Sequence, residues 1–188
     1  MASTPESRFI AGTRPSRACL FASRCRTSTV RCGSTSIPFF EKDYMSTPKR
    51  LPYYTLSPEA YRGFGITKAA LEKSSLGKEL IELAWLRMSQ INGCAFCLEM
   101  HARALRAAGV PDAKLDSLAG WRVSERFTER ERAALAWTEA LTHVDRTHAP
   151  DEDYEPLKAH FSDAEISDLC FAIALMSAFN RLAIGMRQ

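Results

Sequence analysis

Long uncharged apolar runs are missing from this chain. The longest, Leu169 to Asn180, has 12 residues, against the roughly 20 that a bilayer-spanning helix needs, so no membrane segment is expected. Basic excess is also lacking where it would matter. The formal net charge is +3, but residues 1–44 hold seven basic and three acidic side chains (Glu6, Glu41 and Asp43). Residues 45–188 are left with 18 basic and 19 acidic, which gives no footprint for nucleic acid. The six cysteines are too few and too irregular for a secreted disulfide scaffold. Cys19, Cys25 and Cys32 fall early, while Cys94, Cys97 and Cys170 fall later. A reducing, cytoplasmic setting is expected, with Cys94 and Cys97 as a functional pair.

Residues 1–44 are rich in Ser, Thr and Arg and have little hydrophobic periodicity. They are expected to be a disordered extension, with residues 45–188 as the folded domain. Either Met45 is the natural start and the extension reflects an over-extended reading of the gene, or the arginines from Arg8 to Arg31 form an organelle transit peptide.

From Leu51 onward the pattern is helical, with no convincing β alternation. Ser57-Pro58 reads as an N-cap with proline at the first helical position, opening a short helix towards Phe64. A second helix covers about 67–73. Leu76 to Ile91 carries an apolar stripe through Leu80, Ile81, Leu83, Ala84 and Met88. Another helix runs from Cys94 to about Ala108 and stops at Gly109, with a short one near 112–118. Thr128-Glu129-Arg130-Glu131 and Ser162-Asp163-Ala164-Glu165 are capping boxes, opening helices at about 129–143 and 163–184. Residues 143–153 read as a loop, followed by a short helix near 153–160. The expectation is an all-α bundle of about six to seven helices.

The chemistry concentrates at Asn92-Gly93-Cys94-Ala95-Phe96-Cys97-Leu98-Glu99-Met100-His101. At about 100° per residue, Cys97 and His101 fall roughly 60° and 20° from Cys94 around a helix axis. All three side chains therefore share one face. Asn92-Gly93 breaks the preceding helix, so Cys94 is expected in a first helical turn, where free N–H groups and the dipole favour a thiolate. The two cysteines are close enough for a reversible disulfide: one attacks and is oxidised, the other resolves it. The helix start slightly favours Cys94 as the more acidic thiol. His101 can accept or relay the thiol proton. Cys94, Cys97 and His101 are also compatible with zinc, but a structural site wants a fourth ligand, and His143, His148 and His160 lie far away. Glu82, between Ile81 and Leu83, reads from periodicity as a solvated face residue more readily than a buried base.

The spacing resembles a known pattern. A glutamate (Glu82), eleven residues, Cys94-x-x-Cys97, three residues and His101 is the signature of the alkylhydroperoxidase D-like, carboxymuconolactone decarboxylase superfamily. Leu86 to Gly93 and Phe179 to Ile184 also resemble its small stand-alone members, over a region from about Leu51 to the C-terminus. The resemblance implies an all-α fold in homo-oligomers, trimers or hexamers, and a thiol peroxidase. It implies Cys97 as peroxidatic thiol, Cys94 as resolving thiol, and Glu82 and His101 as proton relay. The substrate would be a hydroperoxide and the reductant an external dithiol. No cofactor or metal is implied beyond the redox-active Cys94–Cys97 disulfide. The founding peroxidases carry a second histidine between the cysteines where this chain has Phe96. Phe96 and Trp85 are expected to wall the substrate pocket and favour organic peroxides. Asn180 and Arg181 are candidates to support the site, through a pairing with its carboxylate across a helix or a subunit contact. Two other readings stand beside this one: a dithiol–disulfide reductase for a protein partner, and a helical module that senses redox state or holds zinc.

Overall fold

The computed structural model describes residues 48–188. Among these there is no strand. The expected extension at 1–44 lies outside the described residues. The helices are α1 (Tyr53–Leu56), α2 (Pro58–Leu71), α3 (Lys78–Asn92), α4 (Ala95–Ala107), α5 (Asp112–Asp116), α6 (Glu129–Thr142), α7 (Val144–Thr147), α8 (Asp151–Tyr154) and α9 (Asp163–Met186). Two 3₁₀ turns, Leu118–Val123 and Glu155–Ala159, complete the described set. The number exceeds the six to seven expected because α1, α7 and α8 are single turns of four residues, too short to leave a periodic signal.

Packing explains where the elements depart from expectation. The two short helices expected at 57–64 and 67–73 are one helix, α2. Gly63 and Gly65 weaken its intrinsic propensity, but Phe64 and Tyr61 stack edge-on against Phe179 of α9, at 5.3 and 6.3 Å between centroids. That tertiary contact holds the turn helical. Ser57 precedes Pro58 as expected but makes no capping bond with its side chain. The expected loop at 143–153 contains α7 and α8, separated by His148 and Ala149 in left-handed conformations.

Both capping boxes form: Thr128 accepts from Glu131 N–H, and Ser162 from Glu165 N–H. Against α3 pack α4, α6 and α9, with Leu83, Trp85, Met88, Leu135, Leu169 and Ile173 fully or almost fully buried. Glu139 of α6 ties this core to its flank, accepting from Arg87 (2.7 Å), Trp121 (2.8 Å) and Arg122 (2.7 Å). These bonds hold its carboxyl below the usual range against its own burial. Trp137, like Trp85 and Trp121, is buried in the core. By length and composition α9 is long and apolar enough to cross a membrane; its Leu169, Ala172, Ile173 and Met176 lie in the core.

Candidate active site

Gly93 decides how the two halves of the site meet. It sits in the left-handed region (φ 69°, ψ 33°) and its N–H returns to Ser89 O, closing α3. Cys94 N–H reaches the same carbonyl at 3.1 Å. Cys94 is then extended (φ −84°, ψ 93°) and serves as N-cap of α4, one residue outside the first turn in which it was expected. Cys97 and His101 follow one turn apart on α4, both buried.

The two thiols are free and buried, and they share a small buried cluster with Ala183. Cys97 lines a cavity of about 160 Å³ together with His101, Trp85, Phe96, Met100 and Tyr53; Cys94 is not among its lining residues. Phe96, half exposed at 49 %, stands at the rim, and Trp85 forms the inner wall at 1 %. Trp85 is fixed by its indole N–H to Ala172 O at 2.8 Å. Burial pushes the Cys97 thiol up, to about 12, and Cys94 adds to the rise, while the polar side chains of Asn180 and Ser89 oppose it. The helix-start argument pointed to Cys94; at Cys97 desolvation dominates and keeps the proton on the thiol. Burial, with Tyr61 and both cysteines nearby, also pushes the Tyr53 phenol up, which keeps it a donor.

Glu82 is buried rather than solvated. Its Oε2 accepts from His101 Nδ1 at 2.7 Å, and both side chains are at most 9 % exposed. A bond from Nδ1 to a carboxylate leaves Nε2 as the free ring nitrogen. Nε2 is buried without a partner among the described residues, on a ring that borders the cavity and packs on Trp85 at 5.4 Å. A proton acceptor thus shares a small, largely apolar cavity with a thiol that keeps its proton.

Asn180 is buried at 1 % and binds Ser89 and Asn92. The carboxylate pairing expected for Asn180 and Arg181 is not what the chain makes: Glu82 pairs with His101, and exposed Arg181 donates to Ser177 O at 2.8 Å. Arg181 lies on the far, solvent side of α9's last turns. Among the described residues no group of three His, Cys, Asp or Glu side chains is arranged to hold a metal.

Ser89 and Tyr53 belong to the site and went unnoticed in the sequence. Ser89 had a signal: with Glu82 and Trp85 it falls at i, i+3 and i+7, one face of α3. Tyr53 had none, since α1 is a single turn placed by tertiary contacts.

Residues 58–140 match the model of the carboxymuconolactone decarboxylase family. The protein YdfG of Bacillus subtilis, itself uncharacterised, is 30% identical over 138 residues, 73% of this chain and 94% of that one. A crystal structure of a protein of unknown function from Agrobacterium tumefaciens, proposed to be the antioxidant defence protein AhpD, superposes with a TM-score of 0.72 at 40% identity. It covers 75% of this chain and 97% of that one. The debrominase Bmp8 shares the fold, with a TM-score of 0.64 at 21% identity over 71% of this chain and 72% of its own.

Proposed function

The chain belongs to the carboxymuconolactone decarboxylase family, within the alkylhydroperoxidase D-like superfamily, and on that footing we propose that it is a thiol peroxidase acting on organic hydroperoxides. One observation carries the reading. The buried Glu82–His101 pair leaves Nε2 unpartnered on a ring that borders the same cavity as Cys97. A thiol held at about 12 is protonated at neutral pH, so attack requires a base within the site.

In the proposed cycle, His101 Nε2 takes the Cys97 proton, directly or through water, and Glu82 stabilises the imidazolium. The Cys97 sulfur attacks one peroxide oxygen, the O–O bond breaks, and the leaving alkoxide takes the proton back from His101. Alcohol and a Cys97 sulfenic acid result. The Cys94 thiol then displaces hydroxide from that sulfur, which leaves as water with the Cys94 proton, and a disulfide forms. An external dithiol reduces it by two exchanges through a mixed disulfide. The cavity favours Cys97 over Cys94 for the attacking role, since it reaches the former's side chain. Its aromatic and thioether lining (Trp85, Phe96, Met100) suits an alkyl or aryl peroxide better than hydrogen peroxide. The apolar rim, where Phe96, Met100 and Tyr61 are 42 to 49 % exposed, supports assembly into a homo-oligomer with sites near subunit contacts. A reducing compartment fits the need for a dithiol donor. The shared fold of Bmp8, a debrominase, makes the peroxide the point to test.

Stopped-flow oxidation of reduced protein by cumene hydroperoxide, with thiol titration at the end point, tests it. Wild type should lose two thiols rapidly, Cys94→Ser should react once, and Cys97→Ser should not react. Glu82→Gln should slow the first step by a factor on the order of 10². Reaction no faster than that of a free cysteine would remove the peroxidase reading and leave a protein disulfide as the substrate to try.

A further inference from the structure

α4 runs back along α3, and the Glu82–His101 pair divides the groove between them. On one side of the pair, Trp85 of α3 and Cys97 of α4 line the cavity already described. One turn to the other side, Lys78 and Glu79 of α3 meet Ala104, Leu105 and Ala108 of α4 around a second pocket of about 240 Å³, which Glu82 also lines. No residue lines both spaces. The alanines of α4 leave the second one open, and its volume far exceeds the roughly 10–15 Å³ that one water needs. The Glu82 side chain is over nine-tenths buried, and its Oε2 is taken by His101 Nδ1. Its Oε1 has no partner among the described residues, yet it is not buried as His101 Nε2 is. The carboxylate thus meets the second pocket by its Oε1 edge, while the ring it holds lines the first.

We propose that this second pocket is the solvent port of the pair, through which a proton passes between bulk water and His101 without entering the peroxide cavity. The inference rests on the dithiol cycle proposed above, and the reductive half of that cycle supplies the need for it. An external thiol attacks as thiolate, its proton left in water. The bond between Cys94 and Cys97 breaks, the external sulfur bonds to Cys94, and the Cys97 sulfur leaves with the electron pair. A thiol that keeps its proton up to about 12 must then be given one. The ring acts here as its Nε2–H tautomer. Water in the pocket carries the proton left by the external thiol to Glu82, Glu82 passes it to Nδ1, and Nε2 gives its own to the sulfur. The pair ends with Nδ1–H on a carboxylate and Nε2 bare, the state of the reduced protein. The cavity is the drier route, walled by Trp85, Phe96, Met100 and Phe179. The charged groups around the port are Lys78 and Glu79 on α3, beside Glu82 itself, and His101 on α4; α6 and α9 bring none to it.

The test needs no peroxide. In full-length protein carrying isotope-labelled histidine, exchange of the His101 Nδ1 proton with water is followed by NMR. Ala104→Leu, which fills the pocket one turn from the ring, should slow that exchange about tenfold with the Nδ1 resonance unmoved. Ala108→Leu, two turns from the ring at an exposed position, covers the case in which the first variant does not fold or displaces the ring, and should act in the same direction. The Cys94–Cys97 disulfide, formed with diamide, should be reduced by dithiothreitol about tenfold more slowly in the folded variants than in wild type. Folded variants with unchanged exchange would overturn the port. Slower exchange with unchanged reduction would also overturn it, since the proton would then reach the sulfur by another way. So would exchange in wild type that cumyl alcohol in the cavity suppresses as strongly as the leucine does. Both effects in a protein inert to hydroperoxide would uphold the port while removing the peroxidase.

Discussion

At the scale of single residues, the site works by pairing a reluctant thiol with a prepared base. Burial holds the proton on Cys97 to about 12, and His101 offers an unpartnered Nε2 on a cavity-lining ring locked by Glu82. The arrangement should make the resting protein slow to be alkylated at Cys97, since the thiolate is the reactive form. It also links stability to pH. Above the ordinary thiol value of 9.0 the unfolded chain releases a proton that the folded chain keeps, up to about 12. The contribution of Cys97 is therefore complete below that window and falls as pH rises through it. Reduced wild type should lose more stability between about pH 8 and about pH 10 than Cys97→Ser does. Urea unfolding at the two pH values reads this directly, and equal losses would place the Cys97 thiol at its ordinary value.

At the scale of elements, the bend between α3 and α4 is the critical joint. Gly93 N–H and Cys94 N–H converge on Ser89 O, so one left-handed glycine fixes the cysteines relative to the α3 face that carries Glu82, Trp85 and Ser89. Gly93→Ala should destabilise the protein by about 1–2 kcal/mol, the cost of placing a Cβ in that region. Gly65→Ala is the internal control. Gly65 is helical, with nothing within 4 Å of an added Cβ, so alanine there should be neutral or stabilising by about 0.5–1 kcal/mol. Denaturant midpoints for the two variants should move in opposite directions. Much at this scale is legible in the sequence. Both capping boxes, the α3 stripe and the stop at Gly109 come from local chemistry, and local chemistry survives folding. Elements set by distant contacts were not legible. The Gly63–Gly65 stretch reads as a break and is held helical by Phe179, more than a hundred residues later.

At the scale of the whole molecule, α9 couples core to site. Leu169, at 0 % exposed, anchors its N-terminal half, and further along Ala172 O holds the Trp85 indole and Asn180 reaches Ser89. Leu169→Ala should cost about 2–5 kcal/mol, read as a lower thermal midpoint. Because α9 carries part of the site, the rate with cumene hydroperoxide should fall with it once the helix loosens. A variant destabilised to that extent but fully active up to its unfolding temperature would show that the site does not depend on the α9 core.

The sequence by itself determined the family pattern: Glu82, Cys94, Cys97 and His101 stand at a spacing that helix geometry turns into one face and one facing helix. It also determined the all-α class, since periodicity and capping are properties of neighbours along the chain. Tertiary structure alone decided three things. Glu82 is buried against His101 where α3 meets α4, although its own helix reads it as a face residue. The cavity opens on Cys97 and leaves Cys94 behind it. Ser89 and Asn180 meet across α3 and α9, while Arg181, next in sequence, is exposed. The physical reason is the same in each case. Helical period says which residues share a side of one helix, but burial and proton affinity depend on what another helix brings to that side.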